Sequence, residues 1–407
     1  MIISLMGTFG EANVGDDLLL ISTIYGLRAK WPDCFLVIFT GQPRLTRQLL
    51  FQENFPLKNV RLVYTGRHGW REPGLPFFKS LSWIPATIFW LKKSDLFLTG
   101  PGNQLQNLTR RGRLFFFLSR SLLALLWGTN YAFFGIGYWE VRGWLSRKLL
   151  RGLGNRSLFF STRDLASARE LTKLAISPQK IFALADLSFS EEPPIESSGR
   201  VEEPVPLVGW TARFLPNRIF SVYHQERFED SLISFFIWLS EKYKARLLFF
   251  PFYQTSALSD LRLAERINSR LQKTNVSTEI ATWKALGELK TKFANCDGFL
   301  ATRFHAVLLA VQTKVPFLAL SYAPKIFNFM AENDLENFVI PIEKISLELL
   351  KEKWELLWKQ KETLKEKLTQ VRRKQHSLAR LHFELTAASL EGSTFPPQIL
   401  QTEKITD

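Results

Sequence analysis

The sequence predicts an α/β protein built from two parallel-sheet halves with a helical extension at the C-terminus. Three observations carry this reading. The chain has 407 residues, beyond the size at which one hydrophobic core stops growing, so two domains are expected. Short apolar runs that end in glycine, threonine or aspartate alternate with helical stretches, the pattern of strands buried on both faces between crossover helices. A run rich in proline, glutamate and serine, "SEEPPIESSGRVEEPVP", interrupts that alternation near the middle.

In the first half, "MIISLMG" is expected to be a strand and Leu18 to Ile24 the start of a helix. "CFLVIFTG" (34–41), "VRLVYTG" (60–66), "DLFLTGPG" (95–102), "NYAFFGIG" (130–137) and "SLFFSTRD" (157–164) are further strands, and "KIFALADLSF" (180–189) closes the unit. The domains expected are thus 1–190, a linker at 191–206, and a second α/β unit at 207–342. The second unit opens with "PLVGWTARF" and "ARLLFFPFY" and ends with "ATRFHAVLLAVQTKVPFLALSYAPK". Leucine and tryptophan spacing among alternating charges predicts helices over 343–385. Residues 386–407 are expected to be a loosely ordered tail. Two similar halves place the natural ligand cleft between them.

Composition narrows the chemistry. With 46% hydrophobic and 22% charged residues the chain is globular rather than disordered. Its two cysteines, Cys34 and Cys296, supply no disulfide framework, and none of its five histidines has metal-ligand spacing. The opening "MIISLMGTFG" lacks the basic start and apolar length of a secretory leader, and no uncharged apolar run is long enough to predict a membrane span. The net charge of +15 favours anionic partners. Basic residues lie beside aromatic ones in "LTRRGRLFFFLSR" and "VRGWLSRKLLRGLGNR", a combination suited to an anionic membrane surface or to single-stranded nucleic acid. No nucleic-acid signature supports the second, so no nucleic-acid partner is expected.

Ligands of open α/β sheets bind at strand ends, and four such places stand out. The first is "GTFGEANVGDD", where Gly7, Gly10 and Gly15 allow a tight turn and close approach of backbone, and Asn13 or Asp16 can cap the helix that follows. Its spacing is neither a Walker loop nor a dinucleotide fingerprint. An ordinary strand–loop–helix turn explains it equally well. The second is "TGPGNQLQN", in which Gly100 and Gly102 open a loop and Asn103 and Gln104 offer neutral donors. The third is Arg213. In the fourth, Arg303 and His305 lie two apart at a helix entrance, where an anion meets cationic side chains and free N–H groups, with Lys325 adding a point charge. His305 is either a proton-transfer group or a satisfied structural histidine.

Taken in order, these segments resemble the polysaccharide pyruvyl transferase family. The family's opening G-x-x-G-x-x-N-x-G-D-E turn appears as "GTFGEANVGDD", with Asp17 in place of glutamate. "DLFLTGPGNQLQN" resembles its second glycine turn, with Pro101 replacing one of a run of glycines. "STRDLASARELTKLAI" and "KIFALADLSF" place Arg163, Asp164, Ser167 and Asp186 at matching positions. "GWTARF" and "FPFYQTSALSDLRLAERI" resemble later strands, and the R-x-H-A helix, G-V-P strand and S-Y-x-x-K turn match "ATRFHAVLLAVQTKVPFLALSYAPK", with Lys314 replacing a glycine.

The resemblance implies two Rossmann-like domains facing across a cleft, a GT-B-like arrangement. It also implies transfer of the enolpyruvyl unit of phosphoenolpyruvate to sugar hydroxyls of a cell-wall or exported polysaccharide precursor, forming a pyruvate ketal. Phosphoenolpyruvate is then the donor substrate and no cofactor or metal is required. The acceptor saccharide is lipid-linked in many such systems, at the cytoplasmic face of the membrane, which suits a cytoplasmic protein with a peripheral membrane contact. In this scheme His305 transfers the proton, while Arg303 and Arg213 hold phosphate and carboxylate with Lys325 in support. Asp16 or Asp17 orients or deprotonates an acceptor hydroxyl. Gly10, Asn13, Gly15, Gly100, Gly102, Asn103, Gln104 and Arg163 line the substrate. A nucleotide-sugar-dependent glycosyltransferase of envelope polysaccharide synthesis and a non-catalytic relative are the competing readings.

Overall fold

A computed structural model describes all residues except 67–82, 106–110, 139, 192–204, 217–218, 255–258, 275, 277 and 394–407. Most of the expected linker at 191–206, His68 and the end of the chain therefore lie outside the described residues.

The chain divides into two compact units. The first comprises Met1–Glu11, Asp16–Glu191 and the chain from Lys374 onward; the second comprises Ala12–Gly15 and Glu192–Arg373. In the first unit the main sheet path is formed by β1 (Ile2–Met6), β2 (Phe35–Thr40), β3 (Val60–Tyr64), β4 (Leu96–Thr99), β6 (Asn130–Tyr138), β7 (Phe160–Thr162) and β8 (Ile181–Ala183). Their order is β3-β2-β1-β4-β6-β7-β8, all parallel, and β5 (Gly102–Leu105) pairs with β6 off this path. Such strands bury both faces, which is why they read as unbroken apolar runs. The order reverses between β1 and β4, and these are the strands followed by the two glycine turns.

The helices of this unit include α1 (Val14–Lys30), α2 (Pro43–Gln52), α3 (Trp83–Lys93), α4 (Arg111–Leu126), α5 (Trp144–Arg156) and α6 (Leu165–Lys173). Asp164 caps α6 by accepting the Ser167 N–H at 2.6 Å. Phe133 and Phe160 stack in the core at 4.4 Å.

The second unit repeats the plan with β9 (Leu207–Trp210), β10 (Arg246–Phe249), β11 (Thr278–Ile280), β12 (Gly298–Ala301), β13 (Phe317–Ser321) and β14 (Val339–Pro341). The parallel order is β11-β10-β9-β12-β13-β14, reversing between β9 and β12. Helices α7 (Val222–Tyr243), α8 (Asp260–Leu271), α9 (Leu286–Ala294), α10 (Phe304–Thr313), α11 (Pro324–Ala331) and α12 (Leu347–Lys359) belong to it.

The last helix, α13 (Lys361–Glu391), runs past the boundary at 385 expected from the sequence. From Lys374 it is part of the first unit, where His382 is fully buried, hydrogen bonded to Ser161 Oγ and the Ala185 carbonyl at 2.9 Å each. Its periodicity predicted a helix but not which unit its apolar stripe covers.

Lys314 has a simple structural place. It ends α10 in the left-handed conformation at φ 57°, and the N–H groups of Lys314 and Val315 close back on Val311 and Ala310. Glycine favours this position because it carries no Cβ, so the departure from the family pattern is a change of helix cap.

Candidate active site

The residues that converge in the second unit all lie just beyond the C-terminal ends of four neighbouring strands. Arg213 follows β9, Asp260 opens α8 after β10, Arg303 and His305 follow β12, and Tyr322 and Lys325 follow β13. Adjacent parallel strands diverge into helices on opposite faces at the β9/β12 reversal, which leaves a crevice there. The strand ends are tied together across it: Thr302 N–H donates to Thr211 Oγ1 at 2.9 Å, and Thr211 N–H donates to the Leu300 carbonyl at 3.0 Å. Arg213 and Arg303 are ninety positions apart in the chain and meet at the end of this pairing.

Each cation is held by something specific. Arg303 donates Nε to Asp260 Oδ2 at 3.1 Å and Nη2 to the other carboxylate oxygen, a two-pronged ion pair. Asp260 is wholly buried and also accepts the backbone N–H groups of Phe252 and Tyr253 at 3.0 Å each. The Arg213 guanidinium lies over the Tyr322 ring, 4.2 Å from its centre. Lys325 Nζ is 5.4 Å from the Phe304 ring centre and 5.7 Å from that of Tyr322.

Tyr322 is the counterweight to this charge. Burial alone would push its phenol up, but the charges of Arg213, Lys325 and Arg303, with a hydrogen bond to Lys325, more than reverse that and bring it down to about 7. Burial pushes the Arg213 guanidinium below its ordinary value, with Tyr322 pulling the other way. Three cations thus face one carboxylate and one phenol whose ionisation they favour. That is the electrostatic profile of a site for a multiply charged anion.

His305 stands in the first turn of α10, its ring edge-on to Phe304 at 5.7 Å. The short segment Ala12–Gly15 belongs to this unit as well. Asn13 pairs with Tyr253, Val14 N–H donates to the Phe252 carbonyl at 3.0 Å, and Asn13 Oδ1 accepts the Gly15 N–H at 3.3 Å. A Cβ on Gly15 would clash with the His305 ring, closest at Nδ1. The opening glycine turn therefore does include a position where backbone must pass close to another residue, and that residue is His305.

The remaining candidates lie in the first unit. Gly10 has φ 76°, and a Cβ there would crowd the Gln42 carbonyl. Gly100 and Gly102 have φ 131° and 116°, on either side of Pro101, whose peptide bond is cis. Gln104 is buried and donates to the Pro101 carbonyl; Asn103, beside it, is half-buried. Asp16 and Asp17 occupy the first turn of α1. Burial, then the neighbouring charges of Asp16 and Glu53, raise the Asp17 carboxyl to about 8, which favours its protonated form.

Arg163 is placed differently. Its buried guanidinium packs on Gly137 and faces Asp164 and Asp186 at 3.5 and 3.6 Å. Both carboxylates also cap helical turns. Arg163 is thus an internal tie of the first unit.

Sequence reasoning passed over Asp260 and Tyr322. Asp260 reads as an ordinary acid in a first helical turn, and Tyr322 as the end of an apolar strand. The pairing of Tyr322 with Lys325 three residues on was visible in "SYAPK", but not the approach of Arg213.

A model of the polysaccharide pyruvyl transferase family matches residues 13–324. The chain belongs to this family. The match begins at Asn13, within the first glycine turn and after Gly7 and Gly10, and spans the second turn and every cation of the second-unit cluster except Lys325, which lies one residue beyond it. It makes the protein an enzyme of the pyruvyltransferase type. No curated protein is similar enough in sequence to add to this.

Solved structures show the fold. A putative UDP-N-acetylglucosamine 2-epimerase from Listeria monocytogenes aligns with TM-score 0.62 at 12% identity, covering 97% of this chain and 98% of its own. Alr3699/HepE from Anabaena, in complex with UDP-glucose, aligns with TM-score 0.56 at 13% identity over 99% of both chains. A glycosyltransferase from Rickettsia africae gives 0.61 at 10%, over 97% and 99%. The pyruvyltransferase thus has the GT-B-like class of two Rossmann-like units with C-terminal helices.

Proposed function

We propose that this pyruvyltransferase uses phosphoenolpyruvate as donor and binds it in the second unit, at Arg213, Arg303 and Lys325. The observation that carries the reading is the convergence of these three cations on Tyr322 at the strand ends, because the donor brings both a phosphate and a carboxylate. Arg303, aimed by Asp260, presents a planar fork to one of them. Arg213 and Lys325 meet the other and steady the departing phosphate.

The reaction needs a proton on the methylene carbon of the enol phosphate while a sugar hydroxyl bonds to the carbon bearing the phosphate. The resulting centre holds methyl, carboxylate, phosphate and one sugar oxygen. Its C–O bond to phosphate then breaks, and a second sugar hydroxyl closes the ketal with loss of its proton. His305 is assigned the proton for the methylene carbon. Of the two aspartates, Asp16 is assigned the hydroxyl proton, because burial favours the protonated form of Asp17. Gly10, Gly100, Gly102, Asn103 and Gln104 are assigned to the acceptor, a saccharide of an envelope polysaccharide precursor. The precursor and the protein are placed at the cytoplasmic side of the membrane.

The test is calorimetric titration with phosphoenolpyruvate, of the wild type and of Arg303→Gln and Lys325→Gln, with a panel of nucleotide sugars alongside. The panel is needed because proteins sharing the fold hold UDP or UDP-glucose. Phosphoenolpyruvate binding that weakens at least tenfold in both variants is expected. Binding of a nucleotide sugar with no response to phosphoenolpyruvate would move the protein to glycosyl transfer.

A further inference from the structure

We infer that the first unit docks on an anionic lipid bilayer through the outer surface of α3 and α5. These helices flank α4 in one layer over the first sheet, since α4 packs on both. Among the residues of α5, Ser146, Leu150, Leu153 and Gly154 face inward. Trp144 and Leu145 point outward, 73% and 53% exposed, beside exposed Arg147, Lys148 and Arg151. On α3, Phe89 is 48% exposed next to exposed Lys92 and Lys93. Leu126, at the end of the intervening α4, is 68% exposed.

Charge complementarity selects the partner. Neither α3 nor α5 contains an acidic residue, whereas α3 ends in two lysines and α5 carries four basic side chains. The nearby Glu140 is engaged by Arg142 at 3.1 Å. Lysine sits over the exposed aromatic ring on both helices: Lys93 Nζ is 4.6 Å from the Phe89 centre and Lys148 Nζ 5.8 Å from that of Trp144. An exposed tryptophan with a ring of basic residues suits the headgroup region, where the indole enters the boundary layer and the ammonium groups remain with lipid phosphates.

Not every basic residue singled out in the sequence contributes. Arg120 is buried, packed on the Trp83 and Phe116 rings at 4.1 and 3.9 Å from their centres, and donates to the Phe116 and Thr65 carbonyls. Burial lowers its guanidinium to about 9. Arg120 therefore takes no part in the docking surface, which α3 and α5 supply.

The experiment is vesicle co-sedimentation of the full chain with phosphatidylcholine vesicles, with and without one quarter phosphatidylglycerol. Two variants are compared: Arg147→Gln/Lys148→Gln/Arg151→Gln and Trp144→Ser/Leu145→Ser. Wild type is expected to bind the anionic vesicles in a salt-sensitive manner. Each basic side chain near such a surface contributes about 1 kcal/mol, so the triple variant should partition on the order of a hundredfold less. The serine variant should bind less and lose the tryptophan fluorescence shift. Unchanged thermal midpoints and unchanged phosphoenolpyruvate binding would show both variants folded and the loss specific to the surface. The inference is overturned if wild type stays in solution with anionic vesicles, or if the triple variant sediments like wild type. A single-stranded RNA oligonucleotide bound through these residues, with vesicles ignored, would equally overturn it.

Discussion

Asp260→Asn tests whether Arg303 is held in place by a buried charge. The Asp260 carboxylate accepts two backbone N–H groups and both prongs of Arg303, and no part of it reaches solvent. An amide of the same shape still accepts from the backbone. It cannot neutralise the guanidinium, whose side chain is only 15% exposed. Removing one partner of a buried pair costs about 3–5 kcal/mol, because the other is left charged and uncompensated; partial exposure of Arg303 places this case near the lower end, about 3 kcal/mol.

Arg303→Met supplies the control. If the cost comes from the stranded guanidinium, the Asp260→Asn/Arg303→Met double variant should be less destabilised than the sum of the singles, by at least about 1 kcal/mol. The assay is urea unfolding followed by fluorescence and circular dichroism. Hydrogen exchange over α8 and α10 would assign the transition to the second unit, since a chain of two units need not unfold in one step. A loss below about 1 kcal/mol in Asp260→Asn, or strict additivity in the double variant, would refute the reasoning.

Three further outcomes are expected. A spectroscopic pH titration should show one tyrosinate forming near pH 7 and missing from Tyr322→Phe. Because the folded-state value is depressed, the unfolded chain holds more protons between about pH 7 and the ordinary tyrosine range near 10, so the ionised phenol's stabilising contribution grows across that window and is lost as pH falls through 7; a pH-dependent melting series would show this slope flattened in the variant. Gly15→Ala should displace His305 and lower turnover more than tenfold while phosphoenolpyruvate affinity changes little, measured by phosphate release and calorimetry. Lys314→Gly should raise stability by about 1 kcal/mol, since a left-handed residue with a Cβ is strained there, and leave donor binding unchanged.

What the amino-acid order determined by itself was periodic and local. Unbroken apolar runs between amphipathic stretches specify parallel strands and crossover helices, and glycines mark where strands give way to turns. Order along the chain was enough to recognise the family, since each segment can be matched without knowing what it touches. The ionisable residues at the second-unit strand ends, Arg213, Arg303, His305 and Lys325, were legible for the same reason: each follows a strand.

Only tertiary structure decided which of these act together. Asp260 and Arg303 come from different crossovers, and their ion pair exists because β9 lies between β10 and β12 in the sheet order. Gly15 is adjacent to His305 although 290 positions separate them in numbering. The protonation of Asp17 and Tyr322 is a property of burial and of neighbours, which no spacing encodes. The same holds for Arg163 and Arg120, which read as surface or ligand-binding cations and are instead enclosed by carboxylates in one case and aromatic rings in the other. Local propensity acts over a few residues, whereas desolvation and charge pairing depend on what the folded chain brings within a few ångströms.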